Sequence, residues 1–350
     1  MRTITIVPFR ENHAPAVLHL LQAQHQRQRR LDPRLAPCRR VQMEATLVQA
    51  QAADTSALVA LDATGQVCGY VQPGIWELAE SSMLRAFLTA RNGITHHLAL
   101  SDPQEAEAHE VALRLLESAS SWWQAHQTTG DLIRWPSADR WVQEVLSIQG
   151  FHLDSVCALR SLHPLLSGSP SAPGLSIRLA RPADEEALVA LFEEELRHHE
   201  RVTPFVRRSP AVLTAFRRKL ARRWAGQSVH AGAPLILVAE QQGVIVGMAE
   251  NTLLEITPDD APGYTPPGRY GCIDNVSVRA DRRGQGIGRR LVQAVFEAFD
   301  ALPLELKGYV LWYNPDNQEA ARFWTRLGFV PLWTTYQRLH PDTDHAEVQV

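Results

Sequence analysis

Lysine is nearly absent from this 350-residue chain: Lys219 and Lys307 are its two lysines, and arginine supplies the rest of the positive charge. With 35 basic against 38 acidic residues the net charge is −3, which gives no electrostatic footprint for nucleic acid. No apolar run approaches the roughly 20 residues of a membrane span. The opening MRTITIVPFR lacks the apolar core of a signal peptide and reads as a strand, so no membrane partner is expected. Cysteine is scarce too. Cys38, Cys68, Cys157 and Cys272 lie far apart, without the paired spacing of a zinc site or a disulfide framework. A cytoplasmic location and no metal are the resulting expectations. What remains is 45% hydrophobic and 21% charged, ordinary for a globular protein, at a length that suggests two domains.

The chain repeats itself. TITIVPFRENHAPAVLHLL and LSIRLARPADEEALVALFEEEL each give a strand followed by an amphipathic helix. Setting Arg10 on Arg181 brings Ile6 onto Ile177, Leu20 onto Leu191 and Pro33 onto Pro204. Further on the offset becomes 178 (243 − 65): Gly65 meets Gly243, Gly69 meets Gly247, Glu77 meets Glu255, Gly130 meets Gly308 and Phe151 meets Phe329. One offset held over so long a stretch indicates two copies of one α/β unit. The Ser/Pro/Gly-rich LLSGSPSAPG, residues 165–174, is the expected linker between domains at 1–164 and 175–350. Each copy is expected to run strand, helix, second helical stretch, hairpin, strand, helix, strand, short helix and closing strand, a mixed and mostly antiparallel sheet flanked by helices.

One stretch of the second copy points to chemistry. In RRGQGIGRRLV, Gly284, Gly286 and Gly288 lie between a strand-like CIDNVSV and an apolar-periodic helix, with Arg283, Arg289 and Arg290 around them. A helix start offers backbone N–H groups without internal partners and the positive end of the helix dipole, so this turn suits an anion, foremost a phosphate. A tight turn with a solvated basic helix start is the plain alternative, and the Lys-Ser/Thr pair of a Walker loop is missing.

The pattern Arg283-Gly284-Gln285-Gly286-Ile287-Gly288, followed by NQEAARFWTRLGF from Asn317 to Phe329, resembles the GCN5-related N-acetyltransferase (GNAT) superfamily over residues 175–340, and more weakly, through the repeat, over 1–163. The resemblance implies acetyl-CoA as co-substrate. Its pyrophosphate would lie on the backbone around Gln285 to Arg290, in a cofactor-binding stretch that begins at Arg283 and includes Arg289, its pantetheine arm between IDNVSV (with Val276 and Val278) and YVLWY, and Asn317 and Trp324 would touch the arm. It also implies transfer of the acetyl group to a primary amine, with a small metabolite as the expected partner. In the first copy the loop becomes SDPQEAEAHEVAL: Glu105 stands for Arg283, Ala108 for Gly286, Glu110 for Gly288, and Asp139 for Asn317. Carboxylates would repel a pyrophosphate, so the first copy is expected to have kept the fold and lost the cofactor. His96 and His97 sit on the strand facing that lost site; packed, hydrogen-bonded strand histidines are the plain alternative.

An alkylammonium, with a pKa near 10.4, must lose a proton before it attacks. Asp274 is the first candidate base and Glu250 on the neighbouring strand the second; either would otherwise be a strand-edge carboxylate holding a loop. Strict alternation puts Asp274 on one face with Cys272 and Val276, opposite Ile273. Glu255, matched by Glu77, reads as structural. Many members of the superfamily carry a tyrosine acid where this chain has Trp324; Tyr313 and Tyr336 are the substitutes to consider. The arginine-rich FRRKLARRWAG is a solvated face or a contact for an acidic substrate, and the Pro/Gly-rich segment 256–271 a flap or a plain loop. Two other classes stay open: a catalytically silent acyl-CoA sensor or interaction module, and a nucleotide binder using the glycine turn. Two copies in one chain either mimic a homodimer of single domains or dimerise again.

Overall fold

The computed structural model describes residues 4–37, 44, 47, 56–162, 174–227, 236–257 and 266–340. The expected linker, save Gly174, and most of the Pro/Gly-rich segment lie outside these residues. In chain order the first copy forms β1 (Thr5–Pro8), α1 (Ala14–Leu31), β2 (Leu58–Leu61), β3 (Val67–Glu77), β4 (Arg91–Leu100), α2 (Ala108–Ala125), β5 (Gly130–Pro136), α3 (Val142–Ile148) and β6 (His152–Arg160). The second forms β7 (Leu175–Leu179), α4 (Glu185–His199), α5 (Pro210–Trp224), β8 (Ile236–Gln241), β9 (Val244–Ile256), β10 (Gly268–Val278), α6 (Ile287–Asp300), β11 (Gly308–Tyr313), α7 (Gln318–Arg326) and β12 (Val330–Leu339). The fold is thus two mixed α/β units in tandem.

The repeat extends to the irregularities of the strands. The β2–β3 ladder skips Cys68 and the β8–β9 ladder skips Val246. His96 is skipped on β4 and Asp274 on β10. Asp154 and Leu332 are skipped where β6 meets β12. Each pair is separated by 178 residues, so the bulges belong to the repeated unit. Helices follow the same logic. Val111, Ala112, Leu115, Leu116 and Ala119 of α2 are fully buried, as are Leu291, Val292, Val295 and Phe299 of α6, the i, i+3, i+4 stripe of a helix laid on a sheet.

The last strands depart from the expected plan. Neither copy closes on its own final strand. The order is β1-β2-β3-β4-β5-β12-β6-β11-β10-β9-β8-β7: β12 enters the first copy beside β5, and β6 enters the second beside β11. The exchange fuses both units into one twelve-stranded sheet and leaves neither fifth strand with an open edge.

Two arginines, 178 residues apart at the ends of the exchanged strands, lock the arrangement. Arg160 lies 4.6 Å over the Phe296 ring and donates to the carbonyl of Leu327 at the end of α7. Arg338 lies 4.5 Å over the Phe151 ring and donates to the carbonyl of Gln149 at the end of α3. Each strand therefore places a guanidinium on the negative end of a helix in the other copy. Arg338 also meets Asp131 at 2.5 Å, and Asp131 is 0% exposed. Replacing Arg338 by Ala leaves that carboxylate only His340 at 2.7 Å and Thr128 at 3.0 Å in place of its guanidinium, and is expected to cost up to about 3–5 kcal/mol in chemical denaturation; a loss below about 1 kcal/mol would show that the exchange does not depend on it.

Candidate active site

Parallel pairing of β10 and β11 runs from Tyr270–Gly308 to Ile273–Leu311 and then stops, although β10 continues to Val278 and β11 to Tyr313. The two strands diverge there. Val276 and Val278 keep their partners on β9, Ala249 and Gly247, and leave their other edge to the opening. A cavity of about 1520 Å³ occupies it.

The glycine turn forms one end of that cavity. Gly284 (φ +76°) and Gly286 (φ +79°) adopt the left-handed conformation, and Gly286 is the residue from which α6 starts. No heavy atom lies within 4 Å of where a Cβ would stand on either, so the space before the helix amides is open. Arg283 is held by the Val278 carbonyl at 3.1 Å. Val276, Val278, Arg283, Gly284, Gly286, Ile287, Gly288, Arg289, Asn317 and Trp324 all line the cavity; Gln285 does not. Asn317 caps α7, its side-chain oxygen accepting from the Ala320 amide at 3.1 Å. Asn275 Oδ1 and Asn314 Nδ2, on two further cavity-lining residues, are buried without a partner.

The equivalent opening in the first copy is filled by the chain itself. β4 and β5 diverge after Ile94 and Leu132. Gln24 of α1 then bridges the strand, donating to the Leu98 carbonyl at 2.9 Å and accepting from the Leu100 amide at 2.8 Å. Leu98 and Leu100 correspond to Val276 and Val278. Asp139, the counterpart of Asn317, is gripped by Arg27 at 2.7 and 2.8 Å, by Gln28 at 3.0 Å and by the Trp135 indole at 3.1 Å. Glu110 pairs with Arg114, and Ala108 is 0% exposed. No residue from 102 to 110 borders the large cavity. In the second copy the helix corresponding to α1 is α4, and its Glu195, His198 and His199 line the cavity instead.

Asp274 corrects the expected alternation. It is the bulged residue on β10, so Val276 and Val278 share the face of Ile273, against the core under α6. Asp274 stays on the face of Cys272, whose Sγ lies 3.3 Å from its Oδ1, and Thr252 Oγ1 lies 3.4 Å away. Its side chain projects into the cavity, open to solvent there and enclosed by protein elsewhere. Burial pushes its pKa up, opposed by Lys219, Cys272 and Thr252. Glu250 is 4% exposed, does not line the cavity and is ion-paired with Lys219 of α5. Burial raises its pKa, opposed by Lys219 and reinforced by Asp274. Burial works against the Lys219 ammonium, but Glu250 and Asp274 outweigh it and raise its pKa.

Tyr313 lines the cavity, with burial raising its pKa and a hydrogen bond with Thr325 opposing. Tyr336 lies in the first copy's core with Trp135 and Phe151, away from the cavity. Trp324, 8% exposed, meets Phe323 and Phe329 edge-on at 4.7 and 5.4 Å. Glu255 pairs with Arg269 as Glu77 pairs with Arg91, one surface bridge present in both copies. His96 packs on Gly74, and neither it nor His97 reaches the cavity. On the arginine-rich helix, Arg217 pairs with Glu185 and Glu186. Its one lysine is the residue that pairs with Glu250. That scarcity was the signal available in sequence, together with the placement of Lys219 between buried Phe216 and Leu220. Arg134, Asp154, Glu195, His198 and His199 also enter the cavity, and no local motif marks them.

Among the described residues no group of three or more His, Cys, Asp or Glu could hold a metal ion, and no helix is long and apolar enough to cross a membrane. The sequence model of the acetyltransferase (GNAT) family matches residues 189–329. No curated protein matches the sequence. The structure is similar to that of a GCN5-related N-acetyltransferase from Sphaerobacter thermophilus, with 15% identity, a TM-score of 0.53, and 96% of this chain and 95% of that one covered. It is also similar to a glucosamine N-acetyltransferase region in a fungal multi-domain β-N-acetylglucosaminidase, at 14% identity and TM-score 0.51, covering 96% of this chain and 38% of that one. Both likenesses are of fold.

Proposed function

Starting from residues 189–329 as a domain of the acetyltransferase (GNAT) family, we propose that this chain transfers an acetyl group from acetyl-CoA to the primary amine of a small metabolite by direct attack. The observation that carries the reading is the diverging pair β10 and β11 ending on a left-handed glycine turn at a helix start, around one cavity. The residues present fit the co-substrate. The open space before Gly284 and Gly286 suits a pyrophosphate, which the first-turn amides of α6 would bind with Arg283 and Arg289 nearby. With its oxygen engaged by Ala320, Asn317 keeps its amide N–H groups for the arm. When bound, acetyl-CoA supplies the thioester carbonyl at which the amine forms its new C–N bond as the C–S bond breaks.

The chain's own part is to deliver a neutral amine. Asp274 accepts the ammonium's proton, directly or through water, and the departing sulfur takes up a proton from solvent or a neighbouring group. Glu250 and Lys219 set the charge around Asp274. We further propose that only the second unit binds the cofactor, and that the chain divides at 164 and 175. Gln24 and Arg27 occupy in the first unit what the arm would occupy in the second.

Release of free thiol from acetyl-CoA across a panel of small primary amines tests the reading; turnover with at least one is expected. A sensor, which Trp324 at the acid position favours, would bind acetyl-CoA and release thiol with none. Trp324 donates from its indole N–H but offers no useful proton, and its rings pack edge-on. Trp324→Phe is therefore expected to keep most of the turnover. A tenfold gain in Trp324→Tyr, or complete loss in Trp324→Phe with acetyl-CoA binding intact, would defeat the packing role.

A further inference from the structure

The strand exchange gives the cavity a wall that the second copy cannot build alone. Across the sheet the strands run β5, β12, β6, β11, β10. Arg134 of β5 stands directly opposite Thr335 of β12, and Thr335 directly opposite Ser155 of β6. Asp154 is the residue skipped in that ladder, so the bulge releases its side chain from strict alternation. All four line the same cavity as Asp274. Ser155 Oγ donates to Asp154 Oδ2 at 2.9 Å. Burial raises the Asp154 carboxyl to about 6, with Arg134 opposing, and lowers the Arg134 pKa, with Cys157 and Asp154 opposing.

Two opposite charges in one wall select by sign. An isolated anion drawn to Arg134 is repelled by Asp154, and an isolated cation meets the reverse. A group carrying both charges satisfies both at once, with the planar guanidinium matched to a carboxylate. Scale then separates this end of the cavity from the reactive end. β6 is two strands from β10, at least about 10 Å, and β5 is four, at least about 19 Å, because β10 and β11 splay apart at Asp274. With its carboxylate on Arg134, four strands from β10, the head group is held toward the far side of the cavity, so the amine beside Asp274 is taken to be a second one.

We propose that Arg134 and Asp154, both from the first copy, form a head-group subsite for an acceptor carrying an amino-acid-type zwitterion at one end and the reactive primary amine at the other. The subsite rests on the acyltransfer reading above and names its substrate class. The first copy, its own cofactor opening lost, thereby lends its sheet to the acceptor.

The test compares lysine, cadaverine and 6-aminohexanoate, which share a terminal amine and differ by the head carboxylate or the head ammonium. Lysine is expected to show a kcat/KM roughly 10- to 100-fold above either analogue, the span of one or two charge-assisted hydrogen bonds. Arg134→Gln should raise KM for lysine and 6-aminohexanoate and leave cadaverine unchanged. Asp154→Asn should act on lysine and cadaverine and spare 6-aminohexanoate. Unchanged acetyl-CoA affinity controls for folding, and Arg134→Lys, which keeps the charge without the fork, should fall between. Turnover that ignores the head group, or an Arg134→Gln effect equal on all three amines, overturns the subsite and leaves the acyltransferase standing. If no amine turns over, calorimetric titration of the same three into the CoA-saturated protein decides. Zwitterion binding lost in Arg134→Gln would keep the subsite while acyl transfer fails; absence of such binding would overturn it.

Discussion

Calorimetric titration with acetyl-CoA is expected to saturate at one molecule per chain, and Gly286→Glu to abolish binding. Gly286 takes φ +79° at the start of α6, a conformation that costs any other residue about 1–3 kcal/mol. Its missing Cβ faces open space, so a glutamate would put its carboxylate where an anion is to lie. Two like charges about 4 Å apart near a protein surface repel by about 4 kcal/mol, enough to weaken binding by more than about 100-fold. The control belongs in the matching turn of the first copy. Ala108, the direct counterpart, is fully buried, and a glutamate there would damage the core. Glu105 is exposed, and Glu105→Gln should leave both stoichiometry and affinity alone. A measured stoichiometry of two would sink the single-site reading, since Gln24, Arg27 and Gln28 would then have to leave the first opening.

Asp274→Asn is expected to lower kcat by about 10²–10⁴ at neutral pH while keeping acetyl-CoA affinity, the range lost when a general base is removed. Its pH profile carries the sharper signature. Burial raises the Asp274 pKa, so the basic form fills at higher pH than for an ordinary aspartate, and the rate should climb with pH through that titration. The asparagine variant should lose this rising limb. Lys219 opposes the upward shift of both Asp274 and Glu250. Lys219→Met should therefore move the limb to higher pH without erasing it. If Asp274→Asn raised only the KM for the amine and kept the limb, the carboxylate would bind the ammonium instead. If Glu250→Gln removed the limb and Asp274→Asn did not, the base would lie on β9.

Some of this molecule is written locally and some is not. The glycine turn is legible because a left-handed backbone at a helix start demands glycine at particular positions, and the apolar stripe beginning at Ile287 follows it directly. Asp274 is legible as a carboxylate on the strand before the turn, but its facing is not. Alternation assumes an unbroken ladder, and β10 skips Asp274 against β9. The placement of Lys219 comes from a helix that packs its buried Phe216 and Leu220 against the sheet and so carries the ammonium to Glu250.

By itself the sequence determined the repeat, the two α/β units and the turn that opens α6, because spacing of apolar residues and glycines acts within one or two elements. Tertiary structure alone decided which strands close each sheet. A strand's pattern of buried and exposed residues is the same whichever neighbour it pairs with, so β6 and β12 fit either fifth strand; the tie is broken by long-range contacts, Arg160 on Leu327 and Phe296, Arg338 on Asp131 and Phe151. That choice brings Arg134 and Asp154 into one cavity with Asp274, a grouping that exists only once the two copies have traded their last strands.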